Sequence, residues 1–193
     1  MNDLFNVTDD FQYILDNLGV DVLINSVSTK AVVTNTPVNA NYDDKKINTL
    51  EVIKRGDKVT YNDGVYLIIS EINADRYGKY KGLMRKTNFI IPIKVGTTQV
   101  DTGQKDSLGR PVYETVPTYA NEECIVANQT ASVGSAGAIN LPQGNIDLTF
   151  QDNENTKKIA LNDVYTIAGQ IYKVIGFDNT QIGLIIAKCE KST

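Results

Sequence analysis

The sequence predicts a mainly β protein. It should hold a small β-barrel domain that opens with one short helix, then a second β-barrel or β-sandwich-like domain. Three observations carry this. Asn and Thr together supply 37 of the 193 residues. Asn competes with its own backbone for hydrogen bonds and Thr is β-branched, so neither favours helix. Past residue 19 the apolar residues fall in short runs or alternate with period two, the spacing of a pleated strand. Gly, Pro and Asn-Asp pairs punctuate those runs, as antiparallel turns require.

One helix is expected, over about residues 9–18. Thr8 or Asp9 can accept hydrogen bonds from the first-turn amides. Phe11, Ile14, Leu15 and Leu18 form one apolar stripe at i, i+3, i+4 and i+7. Asp9 and Asp10 suit the positive end of the dipole, and Gly19 suits a left-handed stop.

Strands follow at 20–24 and 31–34. Thr34–Thr49 is polar, with Pro37, Asn39, Asn41, Asp43 and Asp44, and is expected to be a loop. At that length it should be mobile or functional. Strands resume at 51–54 and 58–61, Asn62-Asp63-Gly64 signals a tight hairpin turn, and Val65–Ile72 returns. An apolar-basic run covers Gly82–Ile93, with Pro92 marking an edge or bulge.

Residues 96–110 are rich in Gly, Thr, Gln and Asp, the composition of a linker or hairpin tip. The domain boundary is therefore placed near 95–97, giving domains 1–95 and 96–193. The second half offers strands near 112–117, 123–127, 145–151, 163–168, 170–177 and 182–189, with a long flexible loop over Ala131–Gly144. A weak repeat joins the halves. Asp57, Tyr66-Leu67-Ile68-Ile69 and Asn73 match Asp163, Tyr172-Lys173-Val174-Ile175 and Asn179 at an offset of 106, and Gly82-Leu83-Met84 echoes Gly183-Leu184-Ile185. It reads as two copies of one β unit, or as two hairpins that share Gly and Tyr.

Motif chemistry is thin. The chain has no His, which excludes Ser-His-Asp and Cys-His catalysis and His metal sites. It has two cysteines, Cys124 and Cys189, too few for a zinc cluster and expected to be buried small hydrophobes unless the fold pairs them. Asp101-Thr102-Gly103 matches the aspartic-protease triplet, but its flanks are polar and suit a solvated turn. Asp152, Asn153 and Glu154 could serve calcium, though a polar turn suits them better. No cofactor is implied. The first residues lack a basic start, and apolar runs stop at about five residues, far below the roughly 18 of a membrane span. No membrane role is expected, and synthesis in a bacterial host cytoplasm is.

Charge layout says more. Residues 1–29 hold Asp3, Asp9, Asp10, Asp16 and Asp21 and no Lys or Arg. Residues 76–94 hold Arg76, Lys79, Lys81, Arg85, Lys86 and Lys94 and no acid, with Tyr77, Tyr80 and Phe89 between them. A basic strip can touch nucleic-acid phosphates or an acidic neighbour, or simply guard an edge strand. An acidic start and a basic middle suit head-to-tail packing of identical subunits.

The acidic helix, Arg55-Gly56-Asp57-Lys58-Val59-Thr60-Tyr61, Val65-Tyr66-Leu67-Ile68 and Arg76–Asn88 resemble the head-closure (stopper) and head–tail connector proteins of long-tailed bacteriophages. Asp106–Pro111 and Gly169–Ile185 are similar to the longer members of that group. Thr87 stands where the pattern has Cys. The resemblance implies a virion protein that closes the DNA exit channel after packaging and docks the tail. It would do so as a homo-oligomeric ring, a dodecamer being one form. Its partners would be portal and adaptor proteins, tail proteins and genomic DNA in the channel. The gate would be the loop carrying Asn39, Asn41, Asp43, Asp44, Lys45 and Lys46, whose mixed charges would pair across the ring axis. Arg76, Lys79, Lys81, Arg85 and Lys86 would contact a neighbouring subunit or DNA. A tail-completion or tail-hub protein and a carbohydrate-binding or other soluble binding module are the alternatives.

Overall fold

A computed structural model of the 193-residue chain describes residues 7–38, 42–74, 78–128, 132–133, 139–140 and 144–192. Helix α1 spans Val7–Leu18. Gly19 closes it: its N–H bonds Leu15 O at 2.9 Å, and a Cβ there would overlap that carbonyl. The expected apolar stripe splits. Phe11 and Leu15 are buried, whereas Ile14 and Leu18 are exposed. Among the described residues the helix packs chiefly on one strand.

The first barrel uses β1 (Val20–Ile24), β2 (Val27–Asn35), β3 (Asp44–Thr49), β4 (Lys58–Tyr61), β5 (Gly64–Ile68), β6 (Asn73–Ala74) and β7 (Tyr80–Lys86). Six of these close on themselves in the order β1-β2-β3-β7-β5-β4, with β4 back on β1, and β6 is a short addition to β7. Val22, Ile24, Ala31, Ile47, Val59, Ile68 and Met84 point inward and are buried together. Both two-residue turns take positive φ, at Asn25-Ser26 and Asn62-Asp63, the geometry that matches strand twist.

Two sequence expectations fail here. Thr34–Thr49 is not one loop: β2 runs to Asn35 and β3 begins at Asp44. The polar Asp-Lys-Lys-Ile-Asn-Thr segment is a strand because its register with β7 closes the barrel. Residues 51–54 are not a strand but a connection that buries Ile53.

The second unit uses β8 (Phe89–Lys105), β9 (Pro111–Asn128), β10 (Ser132–Val133), β11 (Ile139–Asn140), β12 (Ile146–Gln151), β13 (Val164–Ile167), β14 (Gln170–Asp178) and β15 (Leu184–Lys191). Its sheet order is β8-β9-β12-β15-β14-β13, around a core of Ile91, Ile93, Cys124, Leu148, Phe150, Val174 and Cys189. The expected loop at Ala131–Gly144 lies largely outside the described residues; β10 and β11 pair within it. The sheets change over at Thr87-Asn88, and β8 runs unbroken through residues 95–97. The segment 96–110, read as a linker or hairpin tip, and the strand read at 112–117 belong to one long hairpin of β8 and β9, so the hairpin-tip alternative holds.

The two barrels share one plan. Pairing β1, β2, β3, β4, β5 and β7 with β8, β9, β12, β13, β14 and β15 in sequence order gives the same neighbours in both sheets. The offset of 106 holds in the hydrogen bonds. Gly56 N–H donates to Ile68 O, Ile68 N–H to Asp57 O, Asp57 N–H to Lys54 O, and Lys54 N–H to the Asp57 carboxylate. Asn162, Val174, Asp163 and Ala160 repeat all four. Asp63 and Gly169 occupy the same positive-φ turn position, which is why the glycines look one place out of register in sequence. The echo of Gly82 in Gly183 is corrected: ladder register matches Lys86 with Lys191, so Gly78 is the counterpart of Gly183.

One link is missing. In the first barrel β1 pairs β4, Leu23 opposite Thr60. Among the described residues β8 and β13 do not pair. The residue equivalent to Leu23 is Pro92, which stays in the β8–β9 ladder opposite Asn121. A proline inside a continuous ladder must turn its nitrogen to the other edge. The edge facing β13 therefore lacks a donor where the first barrel has one.

Candidate assembly surfaces

The expected gate narrows to the connection between Asn35 and Asp44. Asn39 and Asn41 lie outside the described residues. Asp43 accepts from Lys45 Nζ at 3.0 Å and from Tyr66 OH at 3.2 Å. The Lys45 contact holds its carboxyl below the usual carboxylate range. Lys45 also reaches Asn35 at 3.2 Å. Asp44 takes a two-pronged bond from Arg85, Nε and Nη2 both at 2.8 Å, and the guanidinium lies 3.7 Å from the Tyr42 ring centroid. Four of the six charges and amides proposed for the gate are thus located, and three of them are paired inside the chain. Lys46 is exposed on β3.

The basic strip divides as well. Arg76 lies outside the described residues. Lys79 sits 4.9 Å from the Phe11 ring centroid, tying α1 to the start of β7. Lys81 and Lys86 are exposed. Arg85 is half-buried, and its bond to Asp44 raises its already high pKa. Asp44 and Arg85 face each other in the closing register, so Arg85 is part of the barrel's closure as well as of its surface.

Sequence reasoning missed two features. The first is the hairpin arm. From Gly96 to Tyr119 nearly every residue is exposed on both faces. Thr98 and Val100 face Val116 and Glu114 in register, and Thr102 bonds Val112 O, a mostly β-branched face broken by Glu114, with nothing described against it. At about 3.3 Å per residue, an arm some ten residues long projects about 33 Å from the barrel. A two-stranded ribbon is marginal alone in water, so such an arm is suited to lie on something. Its composition carried no core signal, which is why the sequence leaves it as a linker or a hairpin tip and does not show the length of the arm.

The second feature is the joint between the barrels. Gly56 and Gly183, both at φ +90°, meet backbone to backbone, and a Cβ on either would overlap the other segment's carbonyl. Arg55 Nε donates to Ile182 O at 3.0 Å. Lys58 Nζ bridges to Glu123 at 2.9 Å, and Gln151 Nε2 donates to Asn25 Oδ1 at 2.9 Å. Asn25 in turn binds the Asp57 carboxylate and Lys58 N–H. The first barrel therefore offers its β1/β4 flank, and the second offers its β9/β12/β15 flank. The contact is heterologous: two different surfaces of one plan meet.

No cluster of three metal-capable side chains is present among the described residues. Asn153 is spent on local geometry: its Oδ1 caps the Asn155 and Thr156 amides, and its Nδ2 joins Asn155 in holding buried Glu122. Cys124 and Cys189 are both free thiols in the second core, and burial pushes each up to about 12. An open cleft of about 660 Å³ lies between α1 and the β1–β2 hairpin. Glu51 and Asp57 are among its lining residues, and the Asp57 carboxylate accepts from Asn25 Nδ2 and Lys54 N–H. Among the described residues no helix is long and apolar enough to cross a membrane.

Residues 2–86 match the family model described as the YomX N-terminal domain, and residues 89–190 match the YomX C-terminal domain. The SPbeta prophage-derived uncharacterized protein YomX of Bacillus subtilis (strain 168) is 29% identical over 133 residues. That match covers 67% of this chain and 60% of the relative. No solved structure matches the chain.

Proposed function

This chain belongs to the YomX family through both of its domains, and from that premise we propose that it is a non-enzymatic structural protein of a phage particle. Its prophage-derived relative supports the phage origin. Within the particle it acts at the head–tail interface: copies form a ring that closes the DNA exit channel after packaging and offers a surface to the tail. The observation that carries this reading is the side-to-side joint between two barrels of one plan. A heterologous contact of that kind, repeated between copies, closes into a ring where its rotation closes and runs into an open filament where it does not; the exposed hairpin arm gives each unit a means of holding its neighbour. The connection from Asn35 to Asp44 is the segment that would gate the channel, with Lys46 as an exposed charge on the strand that follows it. Exposed Lys81 and Lys86 would face DNA or the adjoining subunit.

Deleting the gene from its phage tests this. Heads that package DNA but cannot keep it or take up tails should accumulate, and labelled antibody should mark the head–tail joint of wild-type particles. Normal infectious yield with normal joined particles would refute the role. Complete heads beside defective tails would move the protein to the tail.

A further inference from the structure

The surfaces of the two barrels can be accounted for one by one. Inside the chain, the β1/β4 flank of the first barrel is covered by the second barrel. The corresponding flank of the second barrel, β8/β13, is met by no second barrel; the short turn Thr156–Lys158 packs against β8, with Lys158 Nζ donating to Val95 O at 2.8 Å. There Leu161, Asn162 and Val164 stand where Arg55, Gly56 and Lys58 make the internal joint. Leu161 is 57% and Val164 58% exposed, so the replacements are apolar and uncovered. Asn162 keeps the positive φ of Gly56. This is also the flank left open by Pro92.

The reverse flank tells the same story. The second barrel receives the joint on β9, β12 and the entry to β15. The matching flank of the first barrel is β2, β3 and the entry to β7. Gly78, the counterpart of Gly183, is exposed there at positive φ with open space where a Cβ would go. Helix α1 lies on this flank, packed on β2 with Phe11 beside Lys79. Its exposed Ile14 and Leu18 face away from the core. Charge agrees: α1 carries Asp10 and Asp16 and no base, while Lys94 and Lys173 lie on the β8 and β13–β14 side of the second barrel.

We propose that copies of this chain join by repeating between chains the contact that joins the two barrels within one. The β8/β13 flank of the second barrel docks on the α1-bearing β2/β7 flank of the first barrel in a second copy. The occupant is a second copy because each of the two flanks, one met by no second barrel and the other carrying only α1, is the counterpart of one that a barrel of this plan covers within the chain. The hairpin arm is the second barrel's counterpart of the β1–β2 turn, whose Asn25 touches Gln151 in the internal joint, so in the proposed contact it lies along the copy that docks. This rests on the ring reading above and deepens it by naming the two surfaces that meet.

The test uses the full chain in two double variants, Leu161→Glu with Val164→Glu, and Ile14→Lys with Leu18→Lys. All four positions are exposed, and circular dichroism checks that each variant folds. Sedimentation should show wild type growing in mass with concentration, and each variant should lose at least about tenfold in self-association. Mixed together, the two variants should form a one-to-one dimer that grows no further, because each retains one good flank. Wild-type assembly by the Leu161/Val164 variant, or a mixture that stays monomeric or keeps growing, overturns the proposed contact while leaving self-assembly intact. A wild-type chain that stays single at every concentration overturns both.

Discussion

Gly56→Ala should uncouple the two barrels. The new methyl would overlap the carbonyl oxygen of Gly183 and lie 2.5 Å from its carbon. Ordinary carbon–oxygen contacts begin near about 3.3 Å, so the segments must part by roughly 1 Å or more. That parting breaks the Arg55 to Ile182 bond, worth about 1.5–3 kcal/mol as a charged donor. It strains the Gln151 to Asn25 bond, worth about 0.5–1.5 kcal/mol, and weakens the partly exposed Lys58–Glu123 pair, worth about 0.2–1 kcal/mol. The left-handed backbone adds about 1–2 kcal/mol for any residue with a Cβ. The combined loss is roughly 3–6 kcal/mol, which lowers Tm by about 10 °C or more in a chain of this size. Gly169→Ala is the control: φ is +77° and nothing lies within 4 Å. It should cost only the backbone strain, about 1–2 kcal/mol. Calorimetry on both variants and the wild type decides. One transition should become two in Gly56→Ala alone. If Gly56→Ala melts like Gly169→Ala in a single transition, the backbone contact does not hold the barrels together.

Arg85→Glu should destabilise the first barrel by about 2–4 kcal/mol, since it leaves Asp44 unpaired and sets a like charge against it. Denaturant melts should show Lys86→Glu near wild type, and adding Asp44→Arg should recover much of the Arg85→Glu loss. Replacing residues 97–117 by a two-residue turn should leave both barrels folded, with Tm within a few degrees, about 2–4 °C, of wild type, because the arm packs on nothing described; a collapse of the second barrel would contradict that. Asn153→Ala should cost about 1–3 kcal/mol by stripping a donor from buried Glu122 and the caps from Asn155 and Thr156, read from the second barrel's unfolding. Alkaline pH should destabilise the fold. Burial, and then the neighbouring Asp43, push Tyr66 up to about 12, and burial puts both thiols at about 12. Their folded values exceed the unfolded ones near 9 and 10, so this stability is whole below pH 9 and is lost as pH rises through about 12. A flat Tm from pH 8 to 11, or an alkaline slope unchanged in Cys124→Ala, would contradict it.

What the sequence determined by itself was local. Asn62-Asp63 forces a tight turn through its tolerance of positive φ, Gly19 ends the helix, and alternation marks β1 and β12. The offset of 106 was visible because the hairpin from Asp57 to Ile68 is stabilised by bonds among near neighbours, and the same residues do the same work at Asp163 to Val174. Only the tertiary structure decided the rest. β3 is polar and reads as loop; its register with β7, about forty residues away, makes it a strand. Ile14 and Leu18 fit the helical stripe, yet no layer covers them. Gly56 meets Gly183 across the chain, and Pro92 matters only because the edge it faces should have been closed. Each of these depends on which distant backbone comes within a few ångströms, and no local residue pattern encodes that.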